Sequence, residues 1–132
     1  MSSILLIDDE EDVRDSVRMV LERSGFEVAA VSSAEEGIAA AESRKFDAVI
    51  TDIIMPGING VDAIKKIRKI LPQVKILAIS GGGNFGASAY KPEAITTTAY
   101  LQAAAEAGAD GVLTKPFEKK ELLESVRILF ES

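Results

Sequence analysis

The sequence predicts an α/β protein, with a parallel sheet covered by helices on both faces, and three observations carry that expectation. Short aliphatic runs recur along the chain and are unbroken, as in Ile4 to Ile7 and Val74 to Ile79, which is how strands buried on both faces read. Between them, apolar residues return at the three-to-four-residue period of an amphipathic helix. Several of the strand-like runs also stop at a polar side chain followed by a turn. The plainest case is Asp47 to Gly60, DAVITDIIMPGING, where Ala48 to Thr51 run into Asp52 and then Met55-Pro56-Gly57. An acid so placed lies at the carboxyl end of a strand, the edge at which open α/β sheets bind ligands.

Each element follows from the same signals. Ile4 to Ile7 is too short for a helix and ends at Asp8-Asp9, so it reads as the first strand. From Glu11 the period changes: Val13, Val17, Val20 and Leu21 form one helical stripe, with acids in the first turn and Gly25 beyond the end, both expected of helix termini. Phe26 to Val31 is the second strand. Ser33-Ala34-Glu35-Glu36 fits a capping box opening an Ala-rich helix through about Arg44. Ala48 to Thr51 is the third strand. After Gly60, the stripe Val61, Ile64, Ile67 and Leu71 predicts a third helix, stopped by Pro72. Val74 to Ile79 is the fourth strand, ending at Ser80. A Gly-rich loop and an Ala-rich helix between roughly Glu93 and Ala107 come next. Ala109 to Thr114 is the fifth strand, ending at Lys115-Pro116, and Leu122, Leu123, Val126 and Leu129 stripe a closing helix.

Composition narrows the chemistry. At 132 residues a single domain covering residues 1–132 is expected, with a core that needs no staples. Cysteine and histidine are both absent, which removes disulfides, thiol catalysis, Ser-His-Asp catalysis and imidazole or thiolate metal sites. A bound metal must therefore take oxygen ligands, favouring Mg²⁺, Mn²⁺ or Ca²⁺. The net charge of −6 speaks against nucleic acid as a partner. Met1-Ser2-Ser3 leads straight into a strand-like run without the basic region of a signal peptide. No apolar run approaches the roughly 18 residues of a membrane helix, so a cytoplasmic location and no membrane partner are expected.

The predicted strand ends bring Asp8, Asp9, Asp52, Ser80 and Lys115 to one sheet edge. Clustered carboxylates repel, and an oxygen-binding divalent cation relieves them. A lysine and a hydroxyl beside an aspartate suit phosphoryl transfer, which needs positioning and charge neutralisation above all. Asp52 is then the candidate nucleophile.

Four segments in order, ILLIDDE, TDIIMPGING, ILAISGG and GVLTKPF, resemble the receiver domain of bacterial response regulators, and the resemblance spans almost the whole chain. It implies a flavodoxin-like three-layer sandwich: five helices around a five-stranded sheet of order 2-1-3-4-5. It further implies that Asp52 accepts a phosphoryl group from a sensor histidine kinase or histidine phosphotransferase. Mg²⁺ would be held by the side chains of Asp9 and Asp52, by the carbonyl of Ile54, and by Asp8 through water. Ser80 and Lys115 would hold phosphoryl oxygens, and Lys115-Pro116 would be cis. The expected product is a stand-alone receiver without an output domain, catalysing only its own phosphorylation and dephosphorylation and switching a surface of the fourth and fifth helices toward an effector protein.

Blander readings stand beside these. The run Asp8 to Asp12 also suits a solvated helix start, and Asp52 and Ser80 also suit turns. Their joint arrival at one edge is what favours a site. GGGNFG at Gly81 to Gly86 fits the dinucleotide fingerprint literally, but it follows the fourth strand and Pro92 precedes the next helix, so a loop is expected. Residues 81–93 are longer than in short family members, and Val112 stands where many members carry a switch aromatic. Ile54 is bulky where members vary. A phosphorelay intermediate is the nearest rival. An aspartyl-nucleophile phosphatase would want an acid at position 54, and a non-phosphorylated scaffold would not need these site residues.

Overall fold

We describe residues 2–53, 60–80, 102–115 and 117–131 of a computed structural model of the chain, with 60 and 80 described by backbone alone. Ile54, the loop 81–93, Tyr100 and the Lys115-Pro116 peptide bond lie outside the described residues. The elements are β1 (Ser3–Ile7), α1 (Glu11–Arg23), β2 (Glu27–Val31), α2 (Ala34–Ser43), β3 (Ala48–Asp52), α3 (Gly60–Ile70), β4 (Lys75–Ser80), α4 with described residues 102–107, β5 (Gly111–Thr114) and α5 (Lys119–Glu131). The strands form one parallel sheet in the order β2-β1-β3-β4-β5. This is the five-stranded, five-helix flavodoxin-like sandwich that the sequence predicts.

Strand alternation divides the core in two. Leu5, Ile7, Val49, Ile76 and Ala78 point to one face, where Ala41 of α2, Ile64 and Ile67 of α3 and Ala104 of α4 cover them. Ile4, Leu6, Ile50 and Ile79 point to the other, under Val17 and Leu21 of α1 and Leu122, Val126 and Leu129 of α5. Each large side chain withdrawn from water in this way contributes about 1.5–3 kcal/mol before conformational entropy is counted. Among the described residues, no helix is long and apolar enough to cross a membrane.

Local geometry moves three boundaries. Phe26 is not in β2: its N–H closes α1 on Leu21, Gly25 beside it takes φ +98°, and its ring stacks on Phe130 at 5.5 Å. Ala109 is not in β5, because its N–H still bonds Ala104 O at the end of α4, where Gly108 has φ +124°. Val74 belongs to the turn before β4, with its N–H on Leu71 O. The capping box also differs by one residue. Ser33 Oγ accepts from Glu36 N as expected, but the Glu36 carboxylate reaches back to Ser32, bonding its N–H at 3.0 Å and its hydroxyl at 2.7 Å.

The parallel register sets the carboxyl edge of the sheet. Ile7 pairs with Thr51, Asp52 with Ile79, and Ser80 with Thr114. The residues that follow these pairs therefore leave the sheet at one level, on its carboxyl side.

Candidate functional site

Asp8 extends β1 by one residue, its N–H bonding Val31 O across the sheet. By strand parity its side chain follows Ile4 and Leu6, and it is buried. One carboxylate oxygen accepts the N–H of Glu10 at 2.9 Å, a short Asx-type turn that starts α1. Arg14, one turn into that helix, donates to the Asp8 carbonyl at 2.9 Å and so ties the turn to the helix. Asp52, the last residue of β3, is also buried, and Thr51 Oγ1 donates to its carbonyl at 3.0 Å.

Lys115 arrives from the end of β5 and joins these groups. Its Nζ lies 2.8 Å from Asp52 Oδ2, 2.8 Å from Glu10 Oε1 and 3.4 Å from Asp8 Oδ2, with 9% of the side chain exposed. Burial pulls the ammonium toward neutrality, but the hydrogen bonds to Asp52 and Glu10 and the charges of Asp52 and Asp8 outweigh it, so its pKa rises above the ordinary lysine value. Burial dominates at Asp8. Despite the Glu10 N–H and the Lys115 charge, its carboxyl is pushed up from 3.8 to about 6, with Asp52 adding to the rise.

Asp8, Glu10 and Asp52 each offer a carboxylate oxygen, and these oxygens lie within 4.8 Å of one another. Three hard oxygen donors within 4.8 Å of one another, two of them buried, and one carboxyl raised by burial suit a divalent cation of the Mg²⁺ class. An acyl-phosphate chemistry is equally well served, because a buried carboxylate and a fixed cation already touch.

The structure therefore brings together three of the residues singled out in the sequence, Asp8, Asp52 and Lys115. Ser80 ends β4 at the same edge, with only its backbone described. Asp9 lies beside the group with an exposed side chain. Glu10 was not singled out as a site residue, and it is the third carboxylate. A signal existed in retrospect: glutamate is a poor N-cap residue, and Glu10 holds that position in α1 without a side-chain cap bond.

Comparison with known proteins agrees with this fold. The family model described as response regulator receiver domain matches residues 4–127. The chain is 33% identical to the chemotaxis protein CheY of Thermotoga maritima over 124 residues, covering 93% of this chain and 92% of that protein. It is 31% identical to the alkaline phosphatase synthesis transcriptional regulatory protein PhoP of Bacillus subtilis, covering 96% of this chain but 47% of that protein. The chain thus spans about half the length of that longer relative. Among solved structures, a CheY-like receiver domain protein from Methanospirillum hungatei superposes with a TM-score of 0.84 at 29% identity, covering 99% of this chain and 95% of that one.

Proposed function

The chain belongs to the response regulator receiver domain family, and from that premise we propose that Asp52 accepts a phosphoryl group and thereby switches a protein-binding surface. The observation that carries the reading is the contact between Lys115 Nζ and Asp52 Oδ2 at 2.8 Å inside a buried acidic cluster. In the proposed step, an Asp52 carboxylate oxygen attacks the phosphorus of a phosphodonor. The bond to the leaving group breaks as the acyl phosphate forms, and the leaving group takes up the proton it needs from solvent. For a histidine kinase or histidine phosphotransferase the broken bond is phosphorus–nitrogen and the leaving group is imidazole.

Lys115 is poised to follow the charge from the Asp52 carboxylate to a phosphoryl oxygen, and Ser80 is proposed to hold a second. Asp9, Asp52 and the Ile54 carbonyl, with Asp8 through water, are proposed to hold Mg²⁺, and the clustered oxygens of Asp8, Glu10 and Asp52 support a cation at this edge. When bound, Mg²⁺ supplies neutralisation of the phosphoryl oxygens. Phosphorylation adds about −1.5 to −2 charge units and three acceptor oxygens, enough to draw Lys115 and the β4 end toward Asp52 and bias the surface of α4 and α5 that an effector protein would read. The chain would act as a substrate of its own chemistry, without turnover of other molecules.

The test is phosphate incorporation. Wild-type protein incubated with Mg²⁺ and acetyl phosphate should carry an acid-stable, base-labile label, and Asp52→Asn should carry none. A wild type that takes no label from any small donor or histidine kinase would sink the reading.

A further inference from the structure

Lys115 does not wait beside Asp52 alone. Its ammonium divides its short bonds equally, 2.8 Å to Asp52 Oδ2 and 2.8 Å to Glu10 Oε1, and leans on Asp8 at 3.4 Å. Building on the phosphoryl-acceptor reading, we infer that Glu10 is a positioning residue, a resting counter-ion that holds Lys115 toward α1 and that a phosphoryl oxygen must displace.

Three observations support this role. The Glu10 backbone is fixed, because its N–H is bonded to Asp8 Oδ1 and its carbonyl accepts the N–H of Arg14 at 2.9 Å. Its side chain is therefore launched from a rigid point. At the N-cap of α1 a carboxylate could reach back to free helix N–H groups, yet this one makes no such bond and goes to Lys115 instead. Finally, the two acceptors differ in exposure. Glu10 keeps 28% of its side chain in solvent against 5% for Asp52. A released Glu10 is rehydrated at once, whereas Asp52 is not, so the Glu10 bond is the one that exchanges at low cost.

The consequence is a competition. An ammonium has three donors, and here the short bonds are engaged by carboxylates before any phosphodonor arrives. To stabilise charge developing on the transferred group, Lys115 must release Glu10. Phosphorylation is slowed by the strength of that bond, and Glu10 also presents negative charge within 4.8 Å of the nucleophile's oxygen. Both effects are relieved when Glu10 is neutralised.

The experiment uses the full chain and two variants, Glu10→Ala and Glu10→Gln, checked for wild-type thermal unfolding. In metal-free protein labelled with ¹⁵N-lysine, the ammonium resonance lost in Lys115→Arg should exchange its hydrogens with solvent several-fold faster in the variants than in wild type. With saturating Mg²⁺ and acetyl phosphate, the maximal labelling rate should rise about 3- to 10-fold, while the half-saturating donor concentration stays within about twofold, the pattern of an interaction relieved in the transition state. The ratio should persist in 1 M KCl, where the screening length is about 3 Å. Unchanged ammonium exchange, a rate that is equal or slower, or an advantage that vanishes in salt overturns the inference. A labelled wild type with unaccelerated variants defeats the role of Glu10 alone. An unlabelled wild type defeats the receiver reading and this inference together.

Discussion

Lys115 Nζ lies 2.8 Å from Asp52 Oδ2 across a sequence separation of 63 residues, and only 9% and 5% of the two side chains are exposed. Water screens this pair poorly, and the same ammonium answers two further carboxylates. Lys115→Gln leaves those acids without their cation. Removing one partner of a buried ion pair costs about 3–5 kcal/mol. Urea unfolding of metal-free Lys115→Gln should show a loss near the lower end, since Glu10 is partly solvated, and added Mg²⁺ should narrow the gap to wild type. A variant as stable as wild type without metal would show that the lysine does not hold the cluster together.

Asp8 gives the opposite sign. Burial raises its carboxyl from 3.8 to about 6, so the folded protein binds this proton more tightly than the unfolded chain. The corresponding stability is fully present below about pH 4 and is lost as pH rises through about 6. At pH 7 the ionised group costs about 2–3 kcal/mol. Metal-free Asp8→Asn should therefore be more stable than wild type at pH 7, by up to that amount, and the advantage should shrink as the pH falls toward 4. Denaturant midpoints at the two pH values decide it, and a constant difference would rule out titration of Asp8 as the cause.

Gly37 lets α2 approach β1 closely. A Cβ there would sit 2.8 Å from Ile7 Cγ1 and closer still to its Cδ1, and Ile7 is fully buried with Asp8 directly after it. Gly37→Ala should cost about 1–3 kcal/mol through overpacking, against a helix-propensity gain of about 1 kcal/mol. Ile7→Val removes Cδ1, the nearer of the two clashing atoms, and alone costs about 0.5–1.5 kcal/mol. The double variant should be more stable than the sum of the single losses allows, as measured by a double-mutant cycle. Strict additivity would mean that α2 shifts away instead.

Arg68 closes the other edge of the sheet. From α3 it donates to the carbonyls of Pro72, Val74 and Gly108 and to Asp110 Oδ2, which also accepts Ile76 N at 2.9 Å. One planar fork thus joins α3, the start of β4 and the turn after α4. Arg68→Met should destabilise by about 2 kcal/mol, and Arg68→Lys should recover less than half of that, because an ammonium lacks the fork. The labelling rate at Asp52 should not change, since this network sits at the amino-terminal ends of the strands. A slowed rate would reveal coupling between the two edges.

Much of this was legible in the residues because it is local. Unbroken aliphatic runs and three-to-four-residue stripes report burial on two faces or one, so the strands and helices followed from hydrophobic period and end signals, while the strand order of the sheet came from the family resemblance. A polar residue that ends such a run must lie at a sheet edge, which placed Asp8, Asp52, Ser80 and Lys115. Boundaries such as Phe26 and Ala109 were less legible, because a single backbone bond to Leu21 or Ala104 overrides their apolar character.

The choice among consecutive acids was decided only by the tertiary structure. Asp8, Asp9 and Glu10 are chemically alike and adjacent in sequence. Register with β2 turns Asp8 inward, its bond to the Glu10 N–H fixes the next turn, and Glu10 then faces a lysine 105 residues away. Asp9 is left exposed. Periodicity fixes where a strand ends, but side-chain direction beyond that point depends on hydrogen bonds and charges contributed by distant strands. For this chain, the sequence singled out Asp52 and Lys115, and packing selected Glu10 as the second carboxylate that holds the lysine.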